Sequence, residues 1–276
     1  MLREGRRGPA FWLLCGFFVL FVAFLYGPLS TIVILSFQGP DGGLTFPMVG
    51  SSVHWFHNLF EKQAVGDFGG SFTRSLLLGL MVMIATVVVS LLAGLAFRRR
   101  FRGSTVLFYL AVASLIVPSI LISLGIGLGF QIAGIPPAWY SSAFGAQLTW
   151  TLPFGLLIMF AVFNRFNKSY EEAARDLGAT SWQTFRNIVV PLILPSLIGV
   201  GLFGFTLSYD EFARTLMTAG SYNTLPLEIY GMTTNVTTPV LYALGTLTTA
   251  FSFLIILTSL AVILILRARR ARRLAV

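Results

Sequence analysis

Charge is scarce in this 276-residue sequence: 11% of residues are Asp, Glu, Lys or Arg, and only 10 are acidic. Against that, 56% are hydrophobic, more than a water-soluble globule can cover, so the natural medium of the chain is a bilayer. A single cysteine, Cys15, excludes an internal disulfide and a thiolate metal cluster, and reads as a buried structural thiol. The only two histidines, His54 and His57, share a short segment with Trp55 and Phe56. Without further ligands, that i, i+3 pair reads as part of an amphipathic interfacial helix, not a metal site. No G-x-x-x-x-G-K-[ST] loop is present, which removes the usual phosphate cradle. No nucleophile with an adjacent base and no metal constellation gathers at one membrane face, so no catalytic residue is assigned.

What the chain has is long apolar runs. A spanning helix needs roughly 20 mostly apolar residues to cross a core of about 30 Å. Six runs qualify, near Phe11–Phe37, Phe72–Phe97, Thr105–Ile132, Tyr140–Phe163, Leu192–Leu216 and Leu241–Leu266. The expected fold is therefore an all-α integral membrane protein with six transmembrane helices in one domain, 1–276. Pro118 and Pro153 fall inside predicted spans, where a missing N–H kinks a helix and frees backbone groups. The first apolar run is longer than a secretory h-region and lacks a small-x-small cleavage site, so it reads as a retained span.

Basic residues fix the orientation, because short loops rich in Lys and Arg stay cytoplasmic. Arg3, Arg6 and Arg7 precede the first span, and Arg98, Arg99, Arg100 and Arg102 follow the second. Arg165, Lys168, Arg175 and Arg186 follow the fourth, and Arg267, Arg269, Arg270, Arg272 and Arg273 form the tail. Only Lys62, Arg74 and Arg214 fall on the other side. Both termini are expected in the cytoplasm, with 164–191 a cytoplasmic segment and 38–71 and 217–240 external loops. The net charge of +9 is a topological signal, and no soluble domain is available to present these arginines to nucleic acid.

Two glycine patterns are packing signals. Gly199, Gly201 and Gly204 spell a literal G-x-G-x-x-G, but inside an apolar span instead of at a strand-to-helix turn, so a dinucleotide site is excluded. Gly125 and Gly129 stand at G-x-x-x-G spacing, which lets helices approach closely.

The polar stretch EEAARDLGATSWQTFRNIVVP, Glu171 to Pro191, interrupts this apolar pattern. Ser169 and Glu172 have the spacing of a capping box, Glu171 and Arg175 stand at i, i+4, and Gly178 follows Leu177 where a left-handed cap belongs. Thr180 and Gln183 repeat the capping box and open a second helix through Trp182, Phe185, Ile188 and Val189, ending where Pro191 meets the membrane. Two short helices meeting at a glycine hinge, with Ala173 and Ala174 leaving a smooth surface, describe a rigid docking element.

Glu172, Ala173, Ala174, Gly178, Ile188 and Pro191 also match the spacing of E-A-A, three residues, Gly, nine residues, Ile-x-Leu-Pro, with Val190 in place of Leu. This resembles the cytoplasmic signature of binding-protein-dependent ATP-binding-cassette importer permeases. The likeness extends over VHWFHNLF, FTRSLLLGL, SYDEF and LPLEIYGM, and is strongest toward permeases of the spermidine/putrescine type. It implies the type I importer permease fold. It also implies an ATPase-coupling set of Glu171, Glu172, Ala173, Ala174, Asp176, Gly178, Ile188 and Pro191. The partners it implies are two cytoplasmic ATP-binding subunits, a second permease subunit, either paralogue or identical copy, and an extracytoplasmic solute-binding protein. ATP and Mg would be bound by the partner ATPase subunits, with no cofactor in this chain.

Asp210 and Glu211 are the only acidic residues at the edge of a span, near the outer end of the fifth. Tyr209, Asp210 and Glu211 are expected to line the external pathway and attract a cationic substrate, with Tyr222 and Glu228 assisting. The competing reading is a helix end in which Arg214 pairs with Asp210 or Glu211. A gradient-driven transporter or channel would suit the six spans as well, but leaves the E-A-A element without a purpose.

Overall fold

The computed structural model describes residues 8–60, 66–99, 101–235 and 239–274. Arg3, Arg6, Arg7, Lys62 and Arg100 lie outside these residues, as do the side chains of Arg267, Arg269, Arg270, Arg272 and Arg273. Among the described residues the chain is helical, its only β pairing being two isolated antiparallel bridges, Gln38 with Ser51 and Ala138 with Gly220. The helices are α1 (Pro9–Leu35), α2 (His54–Asn58), α3 (Phe68–Phe97), α4 (Ser104–Ala113), α5 (Ser119–Ile132), α6 (Phe144–Asn164), α7 (Ser169–Asp176), α8 (Ser181–Thr184), α9 (Val190–Tyr209), α10 (Leu225–Asn235) and α11 (Val240–Leu274).

Among the described residues, five helical stretches are long and apolar enough to cross a membrane: Pro9–Leu35, Phe68–Phe97, Trp139–Asn164, Ser181–Tyr209 and Val240–Val262. The third expected span is not one helix. It divides into α4 and α5, because Pro118 takes an extended backbone (ψ 131°) immediately before Ser119. Ser114 covers part of the break by donating its hydroxyl to Thr149 O at 2.6 Å. The fifth span is also shorter than expected, ending at Tyr209 and not at Leu216. The expected external loops contain regular structure, since α2 lies within 38–71 and α10 within 217–240.

The chain forms two compact units, residues 1–66 with 232–251, and residues 67–231 with 252–276. In the first, Gln38 is fully buried and organises a loop, accepting from Val49 N–H at 2.8 Å and donating to Gly43 O at 3.1 Å. Tyr242 donates to Leu44 O at 2.7 Å, tying α11 to that loop. Cys15 lies half-buried on α1 and is not the buried thiol expected, because Leu35 is the one buried residue of that helix.

In the second unit α3 is the central helix, packed against both α6 and α9. The contact is close because small residues line it. A Cβ on Gly155 would stand 2.2 Å from Ser90 Oγ, and one on Gly79 would stand 2.9 Å from the Phe205 ring. Gly201 and Gly204 pack against α3 in the same way, whereas Gly199, Gly125 and Gly129 face open space within this chain. Below this contact, Met159, Phe163, Val189, Ile193, Leu197 and Val200 form an apolar cluster at the end that carries the polar segment.

Candidate functional site

The polar segment folds into a hinge. α7 ends at Asp176 with Leu177 as its C-cap, and Gly178 follows with φ +83°, the left-handed region where a Cβ would be strained. Thr180 then forms the full capping box with Gln183: its hydroxyl accepts from Gln183 N–H at 3.2 Å, and its own N–H donates to Gln183 Oε1 at 2.8 Å. The expected box at Ser169 does not form. Lys168 already has helical backbone there, and Asn167 Oδ1 takes the Ser169 N–H at 3.0 Å. Nor does the second helix end at Pro191. A π turn over Phe185–Val189 leads directly into α9, widening the helix just ahead of the proline that lacks an N–H.

Glu171 does not pair with Arg175. Both of its oxygens accept from Arg98, at the end of α3, at 2.7 and 2.9 Å. The Arg98 guanidinium lies over the rings of Phe163 and Phe166, at 5.2 and 5.3 Å. A bidentate, ring-stacked arginine is a directional link, so α7 is fastened to α3 and to the end of α6. The Arg98 guanidinium holds the Glu171 carboxyl below the usual carboxylate range, against an opposing push from burial. Beside this link lies a cavity of about 560 Å³ lined in part by Arg98, Arg99, Lys168, Glu172 and Arg175.

Away from the link, Glu172, Ala173, Asp176, Gly178 and Pro191 are exposed, while Ala174 and Ile188 are half-buried. Apolar groups are exposed beside them: Leu177 is 90% exposed, and Trp182 is 65% exposed. An apolar tip on an otherwise polar helix is what a docking surface presents. Leu177 and Arg98 were not singled out from sequence. Leu177 was legible as an apolar residue just before a helix-ending glycine, but Arg98 looked like one more topological arginine.

At the other candidate site the structure separates the expected residues. Tyr209 is 3% exposed, its ring between Phe72 and Phe205, so it does not line an open path within this chain. Tyr222 and Glu228 belong to a different cluster. Glu228 accepts from Asp67 N–H at 2.7 Å and from the Asn223 amide at 2.8 Å. Arg74 donates to Asn223 O at 2.7 Å and to Asp67 at 3.1 Å, and its guanidinium lies 5.6 Å from the Tyr222 ring centre. That cluster pins 222–228 to the start of α3.

Asp210 is exposed and caps the end of α9. The chain after it folds inward as a non-helical segment, with Glu211 8%, Arg214 3%, Thr215 0% and Thr218 0% exposed. The helix stops here because side chains take over its hydrogen bonds: Glu211 Oε1 accepts from Arg214 N–H at 2.8 Å, and Thr215 donates its hydroxyl to Glu211 O at 2.8 Å. Ser123 and Ser142 satisfy further backbone groups, donating to Arg214 O at 3.0 Å and Thr218 O at 2.6 Å. Of the two pairings weighed for Arg214, the structure forms the one with Glu211, at 3.6 Å. The two histidines sit on α2, where His54 meets Asn58 at 2.9 Å, and among the described residues no group of three metal-ligating side chains occurs.

Several apolar helices of spanning length, one expected span interrupted, and a short exposed polar helix define the class: a polytopic membrane protein. Residues 86–273 match the family described as the binding-protein-dependent transport system inner membrane component, and the chain belongs to that family. It is thus a permease subunit of an importer, not an enzyme.

The spermidine/putrescine transport system permease protein PotC of Haemophilus influenzae is 29% identical over 250 residues, covering 90% of this chain and 95% of that protein. The putrescine permease PotI of Escherichia coli strain K12 is 28% identical over 232 residues, covering 81% of each. Among solved structures, a bacterial ABC transporter that imports the acidic polysaccharide alginate is similar in fold. Its TM-score is 0.67 at 15% identity, over 98% of this chain and 99% of that one. The MetNI methionine ABC transporter gives a TM-score of 0.54 at 17% identity, over 71% of this chain and 93% of that one.

Proposed function

We propose that this permease imports a small cationic solute of the polyamine class, spermidine or putrescine, across the bacterial cytoplasmic membrane. The observation that carries the cargo is the likeness over 90% of the chain to a permease named for those two solutes. The exposed carboxylate of Asp210, at the end of α9, supplies the chemistry that attracts an ammonium group. The arginine distribution puts the termini and α7 in the cytoplasm. There α7, with Leu177 at its tip, docks on an ATP-binding subunit, two of which bind ATP and Mg. A second permease subunit completes the pathway, and a solute-binding protein delivers cargo from outside. The Arg98–Glu171 link carries the movement of α7 into α3.

The test is reconstitution into proteoliposomes with the ATP-binding subunits, the second permease subunit and the solute-binding protein, following labelled spermidine and putrescine. Uptake is expected to need ATP and every component. ATP-dependent uptake of a different organic solute or a metal ion would overturn the cargo. Gradient-driven uptake by this chain alone would overturn the mechanism. Ala173→Trp is expected to reach the membrane but to lose ATPase-subunit association and transport, and normal transport by that variant would overturn the docking role.

A further inference from the structure

A buried charged residue calls for an explanation, and Arg214, 3% exposed, is such a residue. Thr149 stands about 15 Å along the Trp139–Asn164 helix, and Ser119 about 20 Å from the far end of α5, at 1.5 Å per residue. Both contact Arg214, so its guanidinium is held against α5 and α6. Within the non-helical segment that carries it, Glu211, Arg214, Thr215, Thr218 and Ala219 are buried, while Leu216 and Met217 are exposed.

The guanidinium is held from several sides. Nη1 donates to Ser119 Oγ at 2.7 Å and approaches Glu211 Oε2 at 3.6 Å, and Nε donates to Thr149 Oγ1 at 3.3 Å. Its plane lies 4.6 Å from the Trp150 ring centre. Glu211 spends its other oxygen on the Arg214 N–H at 2.8 Å. A cation pathway lined by an unpaired arginine would repel its cargo; lined by this pair, it meets no net charge from either residue. Asp210, one residue earlier, is exposed.

We propose that Arg214 is a positioning residue that withdraws Glu211 from the pathway, leaving Asp210 as the carboxylate of that adjacent pair that meets the cationic group of the cargo. This rests on the reading of the cargo as a cation. Arg214 also fixes the inward segment to α5 and α6, so that Asp210 is presented from a rigid base.

Uptake kinetics of the assembled transporter test this with labelled putrescine, alongside thermal unfolding of the same complexes. Arg214→Gln and Glu211→Gln are each expected to lower maximal uptake by about tenfold or more, the scale of leaving one buried charge without its partner. The paired Arg214→Gln/Glu211→Gln variant is expected to regain uptake with a KM near that of the unmodified protein. Arg214→Lys, which keeps the charge but loses the fork and the ring stacking, is expected to fall between. Asp210→Asn is expected to raise KM by about tenfold in either background, the scale of a lost charge-assisted hydrogen bond. A paired variant whose KM rises as far as that of Asp210→Asn would overturn the inference, because Glu211 would then be a cargo ligand. Single variants that both behave like the unmodified protein would overturn it as well. Thermal unfolding that shows non-additive coupling of Arg214 and Glu211, together with an unchanged KM in Asp210→Asn, would keep the pair and remove the cationic cargo instead.

Discussion

Arg98 and Glu171 show how much one pair of residues decides at the end that carries α7. Both are 16% exposed, and a bidentate pair shielded to that degree escapes most of the screening that makes surface ion pairs weak. The Glu171 carboxyl titrates below its ordinary range when folded. Its contribution is therefore fully present above an unfolded value of about 4.3, and is lost as pH falls through the lower folded value. Thermal unfolding of the purified transporter should follow that sign: Glu171→Gln lowers Tm at pH 7, and the gap from the unmodified protein closes as pH falls below the ordinary carboxylate range. A gap of constant size would remove the pair from the stability of α7.

At the scale of elements, the hinge between α7 and α8 combines two features that were legible in sequence because both are local. Gly178 has the φ that only glycine adopts without strain, so Gly178→Ala should cost about 1 to 2 kcal/mol. Thr180→Ala, which removes the capping hydroxyl, should cost about 0.5 to 2 kcal/mol. Amide hydrogen exchange over residues 169–184 checks both, with faster exchange expected there and unchanged protection in α3. Leu177→Glu should leave exchange and Tm unaltered, since the side chain is 90% exposed, yet abolish copurification of the ATP-binding subunit. Retained copurification would mean that the apolar tip is not part of the dock.

Across the second unit, α3 is the element on which α6 and α9 depend. Gly155→Val forces a side chain into Ser90, where even a Cβ would come to 2.2 Å. Overpacking of this kind costs about 1 to 3 kcal/mol or more. The expected result is loss of detergent-stable protein, read by size-exclusion chromatography after extraction. Gly125→Val, facing open space within this chain, should extract normally as a single chain.

The sequence by itself determined the solvent, the position of most apolar helices, and the capped hinge around Gly178. Each of these follows from composition or from residues within a turn or two of one another. Only the tertiary structure decided which charges meet. Arg98 and Glu171 are 73 residues apart, and Arg214 finds Thr149 and Ser119 at separations of 65 and 95. The division of the third span was half legible: Pro118 announced a kink, but the support of the break by Ser114 and Thr149 depends on α6 lying alongside. The end of α9 at Tyr209 was hidden for the same reason. An apolar run reads as helix until a buried site offers its side chains better partners, and here Glu211, Arg214 and Thr215 found them inside the bundle.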